Sequence, residues 1–342
     1  MNRNDIAKAA KVSSATVSRV INGSSCVAED TRRKVLKVIE EMSYRPSFAA
    51  QSLKKGGVTR QIGLIVNDVT NPYYAEIALG VEETGRKAGY SVVLANSFRG
   101  NYLHFCLDGF SRRQVDAVAL LSAPTKAEAE YLKKLKLLIE KNIALMAVSH
   151  TGTWLSGLKR LEMTVFTMDL FTVAQKAVSY LYGLGHRRIA FITGNDTTEE
   201  RFLAYKQAHR ELGLPLDPSL VLVEKSYKDD QGVGYRGMKK LLDEGKRPSA
   251  VFAFNDLVAM GVLRALYEEK IRVPEQVSVI GCDNIMLSAF TCPPLTTIDI
   301  PKYKLGSDIC AALLNVLKGE KPFHKKVTGE LIIRSSTGGC NA

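Results

Sequence analysis

Between Lys11 and Asn22 the chain reads KVSSATVSRVIN. Four hydroxyl side chains (Ser13, Ser14, Thr16, Ser18) and a single arginine, Arg19, crowd a short, weakly apolar stretch that contains no carboxylate. Short hydroxyls and a lone guanidinium are hydrogen-bonding groups suited to an anionic surface. An ordinary surface helix would carry Glu and Lys instead. The wider charge distribution agrees. The 342 residues carry a formal charge of +12. Residues 1–60 hold twelve Lys/Arg against five Asp/Glu, a surplus of seven in the first sixth of the chain. A small basic N-terminal module on a larger, nearly neutral body implies an anionic partner.

Signals for other chemistry are missing. The six cysteines (26, 106, 282, 292, 310, 340) form no C-x-x-C pair, and no histidine stands at zinc-ligand spacing. We therefore expect free thiols, no metal and no cofactor. There is no G-x-S-x-G elbow, P-loop or H-E-x-x-H. The GVGYRG stretch at 232–237 follows an acidic loop rather than a strand, so it lacks a dinucleotide-binding context. The five histidines (104, 150, 186, 209, 324) are scattered. A non-enzyme is expected. The N-terminus lacks the apolar run of a signal peptide, and no segment is long enough to span a bilayer, which implies a cytoplasmic protein without membrane contact.

The elements that would position these groups follow from periodicity. Ile6, Ala9 and Ala10, then Val17, Val20 and Ile21, then Val35, Val38, Ile39 and Met42 form three short helical stripes. Ser13 can cap the second helix and Gly23 can end it. Each helix is too short to stand alone, so the three must share one core. Pro46 ends this module; Ser47 can cap a further short helix through Leu53, and Gly56 and Gly57 mark a linker. Strand and helix patterns then alternate. IGLIV, SVVLAN, DAVALLS and NIALMAVS read as strands; the scheme restarts near Thr164 with RRIAFITG, LVLVE, AVFAFND, VSVIGCDN and GELIIRS. Such repetition predicts an α/β core of two doubly wound parallel-sheet lobes with a cleft at the strand ends.

Eight collinear segments resemble the lactose-repressor (LacI/GalR) family of bacterial transcription factors: VSSATVSRVIN, YRPSFAAQSL, TNPYYAEIALGVEETGRKAGY, GHRRIAFITG, RFLAYKQA, FAFNDLVAMGVLRAL, VPEQVSVIGCDN and PPLTTIDIP. The resemblance implies a helix-turn-helix domain over 1–46, a hinge helix and linker over 47–57, and a periplasmic-binding-protein-like core over 58–342. The core's first lobe would take 58–161 and 292–320, its second 162–291 and 321–338. By the same resemblance Ser14, Ala15 and Arg19 match base-reading positions in the major groove. Ser13, Thr16, Ser18 and Asn22 suit phosphate contact. A guanine read by Arg19 in bidentate fashion is worth about 1–3 kcal/mol of discrimination. Leu53 matches the hinge leucine that wedges into the minor groove, with Ala50 at the helix pair and Lys54 in the same DNA-binding set. Paired hinge helices imply a homodimer on a palindromic double-stranded operator.

The family's cleft takes a small effector. Position by position, the resemblance carries that role to Tyr73, Tyr74, Arg201, Tyr227, Asn255 and Asp283: aromatic faces for C–H groups, charged forks for hydroxyls. The implied protein is a repressor of carbohydrate catabolism switched by a sugar or sugar derivative. A nucleobase- or nucleoside-responsive regulator is the alternative, and a solute-binding protein a more distant one. TGNDTTEER, NSFRGNYLHFCLDGF and SHTGTWLSGLKRLEMTVFTMD, which holds the sole tryptophan, depart from the family pattern near the cleft. Ala28 replaces the usual serine cap before the third helix.

Overall fold

The computed structural model describes residues 2–21, 23–44, 58–98, 102–113, 115–121, 129–149, 157–158, 160–194, 200–224 and 231–340. The chain divides into two units, Met1–Thr59 and Arg60–Ala342.

The first unit holds α1 (Arg3–Ala10), α2 (Ser14–Ile21) and α3 (Glu29–Glu41). Asn2 and Asp5 close a capping box at the start of α1. Ser13 Oγ accepts the Thr16 N–H at 3.1 Å, capping α2. Gly23 ends that helix at φ +70°, and the next N–H, of Ser24, donates to Arg19 O at 2.9 Å. This is the left-handed position that glycine occupies without a Cβ penalty. Ile6, Ala7, Ala10, Val17, Val20 and Val35 form the shared core. In α1 the buried alanines are Ala7 and Ala10, while the expected Ala9 is exposed; α1 packs against both α2 and α3 and turns a broader face inward. Ala28 leaves α3 without a side-chain cap.

The second unit contains two six-stranded sheets. The first has the order β11-β5-β4-β3-β1-β2 and is parallel throughout. Its strands are β1 (Gln61–Val66), β2 (Ser91–Asn96), β3 (Ala117–Leu121), β4 (Ala144–Ser149), β5 (Thr164–Asp169) and β11 (His324–Thr328). Helices α4 (Pro72–Lys87), α5 (Leu103–Arg113), α6 (Ala129–Glu140) and α11 (Lys302–Leu317) pack on it. The second sheet has the order β12-β10-β9-β8-β6-β7. It comprises β6 (Ile189–Thr193), β7 (Val221–Val223), β8 (Ala250–Ala253), β9 (Ser278–Asp283), β10 (Thr296–Asp299) and β12 (Glu330–Ile332). Only β12 runs antiparallel to its neighbour. It carries α7 (Leu170–Gly183), α8 (Glu200–Glu211), α9 (Gln231–Asp243) and α10 (Asp256–Glu268). The inner strands β1, β3, β6, β8 and β9 are almost wholly buried, as parallel strands covered on both faces must be.

In each lobe one helix pair meets backbone to backbone. A Cβ on Gly80 of α4 would lie 2.2 Å from Tyr303 O, and one on Gly306 of α11 would lie 2.0 Å from Ile77 O. Gly234 of α9 and Gly261 of α10 do the same in the second lobe, at 1.8 Å from Val258 O and 1.9 Å from Gln231 O. The GVGYRG stretch is therefore a helix-packing device.

The expected lobe boundaries need correction. β5 and β11 belong to the first sheet, whereas the resemblance places residues 162–291 and 321–338 in the second lobe. β10 belongs to the second sheet, whereas the resemblance places 292–320 in the first lobe. The chain crosses after β5, after β10 and after β11. Asp169 at the first crossing caps α7 through the Thr172 N–H and pairs with Lys326 of β11, at the third, at 2.7 Å.

Candidate functional site

On α2, Val17 and Val20 face the core, which turns the opposite side of the helix outward. Ala15 and Arg19 are exposed, and Ser14, Thr16 and Ser18 are partly so. Ser13 and Thr16 also share a hydroxyl contact of 2.9 Å. A face of hydroxyls with one exposed guanidinium can meet phosphates and a base edge without repulsion from any acid. Asn22, Ala50, Leu53 and Lys54 lie outside the described residues.

In the core unit, the C-terminal ends of the strands bring several side chains together. Asn71 caps α4 by accepting the Tyr73 N–H at 2.9 Å, and Pro72 fixes the first turn. Tyr73 and Tyr74 meet edge to face, with centroids 5.0 Å apart. Burial pushes the Tyr73 phenol well above its ordinary range; the Asp283 carboxylate adds to this, and the Arg201 guanidinium opposes it. Tyr73 from the first lobe thus lies in the field of Arg201 and Asp283 from the second. Arg201, near the start of α8, is 7 % exposed. Its guanidinium carbon sits 3.8 Å from the centre of the Phe254 ring, and its Nη1 donates to Phe254 O at 2.6 Å. Asp283 ends β9 at φ +113°, a left-handed conformation costly for a residue with a Cβ.

Asn255 sits beside this group, but its side-chain oxygen accepts the Val258 N–H at 2.9 Å, so it caps α10. Asp256 is fully buried. It accepts from Ile285 N–H at 2.8 Å and from the Thr297 hydroxyl. Burial pushes its carboxyl well up, and the charge of Asp283 adds to the shift. Tyr227 lies outside the described residues. The structure therefore gathers Tyr73, Tyr74, Arg201 and Asp283, and gives Asn255 a structural bond.

Two participants escaped the sequence reading. Phe254, the platform under Arg201, looks in sequence like one more apolar core residue at the end of β8. Lys302 is 2 % exposed and binds the Asp283 carbonyl; its only sequence signal is a cation directly after Pro301.

Among the described residues no cluster of His, Cys, Asp or Glu has the arrangement of a metal site, and all six cysteines are free thiols. No helix among them is long and apolar enough to cross a membrane.

A basic three-helix module followed by a core of two parallel-sheet lobes is the organisation of a DNA-binding transcriptional regulator. Residues 4–47 match the family of bacterial regulatory proteins, lacI family, and residues 178–337 match the periplasmic binding protein-like domain. The ribose operon repressor of Haemophilus influenzae is 35% identical over 92% of this chain and 91% of its own. The HTH-type transcriptional repressor PurR of Histophilus somni is 34% identical over 97% of each. A solved complex of the transcriptional regulator CelR with cellobiose is 28% identical, covers 98% of this chain and 99% of its own, and superposes with a TM-score of 0.70. The chain belongs to the lacI family and is a DNA-binding transcriptional regulator.

Proposed function

We propose that the protein is a homodimeric repressor of carbohydrate-catabolism genes whose affinity for a near-palindromic operator is switched by a sugar or sugar derivative in the interlobe cleft. Ser14, Ala15 and Arg19 face bases. Ser13, Thr16, Ser18 and Asn22 face phosphates, and Ala50, Leu53 and Lys54 serve the hinge contact. The observation that carries the effector reading is the convergence of Tyr73, Arg201 and Asp283 from two lobes. A guanidinium and a carboxylate suit vicinal hydroxyls, and tyrosine faces suit the C–H side of a pyranose or furanose. The relative solved with cellobiose and the one named for the ribose operon support the sugar class. Exposed Met286, Phe290 and Tyr267 on one lobe and Tyr102 and Phe105 on the other support association of two copies, since large apolar side chains left in water favour cover.

A nucleoside is the second reading. Arg201 seated over the Phe254 ring, with its charge felt by Tyr73, also suits a flat base.

The test is an in vitro selection from random duplexes with the full-length protein at fixed salt, followed by D-ribose, cellobiose and adenosine added to the selected complex. Enrichment of a near-palindrome that one of the sugars releases or tightens supports the reading. A response to adenosine alone selects the second. Enrichment of no motif, with or without metabolite extract, contradicts the proposal.

A further inference from the structure

Asp283 carries the effector carboxylate of the proposed cleft, yet its backbone is in an unfavourable place. Asp283 and Asn284 stand at φ +113° and +49°, two consecutive non-glycine residues in the left-handed region. Such a pair persists only where the surroundings over-determine it. The side of Asn284 is held by Arg334 Nη2, which donates to Asn284 Oδ1 at 2.7 Å, and by Asn284 Nδ2, which donates to Asp299 at 2.9 Å. The side of Asp283 is held by Lys302.

Lys302 is the first residue of α11, so its backbone belongs to the first lobe. Its Nζ donates to Asp283 O at 2.7 Å and to Ile300 O at 3.1 Å, and lies 3.4 Å from Asp299 Oδ1. A fourth oxygen, Glu76 Oε2 on α4, stands 3.8 Å away. A lysine 2 % exposed is costly unless its protons are all taken, and here the acceptors come from both lobes. The α11 helix is in turn fixed to α4 by the close approach at Gly80 and Gly306, and α4 carries Tyr73. One ammonium thus sets where the Asp283 peptide lies relative to the helix that bears the facing aromatic.

We propose that Lys302 is a positioning residue for ligand recognition: it holds the Asp283 carbonyl and so aims the Asp283 carboxylate at the cleft in register with Tyr73. This rests on the reading of the cleft as the effector site. A lysine that merely filled a buried gap would affect stability alone. A positioning lysine affects ligand affinity, and an arginine in its place restores part of it because a cationic donor is kept.

The experiment compares the full-length protein with Lys302→Met and Lys302→Arg. D-ribose, cellobiose and adenosine binding is read by calorimetry, operator binding without ligand by anisotropy on the selected duplex, and Asp283 by crystal structures of each variant. Lys302→Met is expected to weaken the bound probe about tenfold or more, the scale of a lost charged hydrogen bond. It should also let Asp283 relax to negative φ and change operator affinity by less than about threefold. Lys302→Arg should keep the left-handed Asp283 and recover part of the affinity. A Lys302→Met protein that binds the probe as the wild type does, with Asp283 still at positive φ, overturns the proposal. If the wild type binds none of the probes, the effector reading fails for those classes, while Asp283 in the variant structures still decides the positioning role. Should Lys302→Met not fold, Asp299→Asn loosens the same clasp and is held to the same readouts.

Discussion

The Arg201 guanidinium lies 3.8 Å from the centre of the Phe254 ring and bonds that residue's own carbonyl at 2.6 Å. Stack and hydrogen bond together leave the guanidinium little freedom, so its orientation is set before any ligand arrives. Lysine at this position keeps the charge and loses the planar stack. Arg201→Lys is expected to weaken the cleft ligand about tenfold or more while costing under about 2 kcal/mol of stability. Calorimetry with the responding ligand and a denaturant titration check the two halves of this statement.

Glycines in α9 and α5 give opposite signs for one substitution. A Cβ on Gly234 meets Val258 O at 1.8 Å, so Gly234→Ala must push α9 away from α10. A loss of about 3 kcal/mol is expected, at the upper end of overpacking costs. Gly109 lies inside α5 with nothing within 4 Å of the added atom. Gly109→Ala should stabilise by about 0.5–1 kcal/mol through helix propensity. Urea unfolding of both variants reads the difference directly.

Acidity should weaken the core through two histidines. His186 Nε2 bonds Gly338 O at 3.0 Å, and His209 Nδ1 bonds Tyr205 O at 2.9 Å. Burial pushes both imidazoles below the ordinary value of 6.5, and the bonds to backbone carbonyls only partly oppose it. Below 6.5 the unfolded chain therefore takes up protons that the folded protein refuses. Folding stability should be full above about pH 7 and fall as pH drops through the unfolded value. Unfolding free energies from about pH 8 to pH 5.5 check this. His209→Gln should flatten the acid side of the curve, and a stability that rises on acidification would be the opposite sign.

The third helix lacks a cap because residue 28 is alanine. Glu29 and Asp30 in its first turn favour the helix dipole but leave the capping bond unmade. Ala28→Ser should stabilise the N-terminal unit by about 1 kcal/mol. Amide exchange of α3 would show the change as slower opening.

Nine strands and the helices of the DNA-facing unit were legible in sequence because their apolar periods are strong. The strands that were missed, β5, β10 and β11, are those next to the crossings, and their loss shifted the lobe boundaries. β11 reads HKKVT, an exposed basic edge strand with no apolar run to betray it. β10 is four residues long, and threonines supply half of it. In the cleft, Tyr73, Arg201 and Asp283 could be named because the resemblance carries their positions. That Asn255 caps a helix, that Phe254 supports Arg201 and that Lys302 reaches across the crossing depend on side-chain geometry between segments far apart in the chain. No local pattern encodes that geometry.

We propose that the exposed face of α2 reads DNA sequence, with Arg19 its longest reach. The direct measurement is binding of wild type and Arg19→Ala to the selected duplex and to a scrambled one, across a salt series. A loss of about 1–3 kcal/mol is expected on the selected duplex, with binding to the scrambled duplex and its salt slope nearly unchanged. An equal loss on both duplexes would make Arg19 a phosphate contact and contradict the base-reading role.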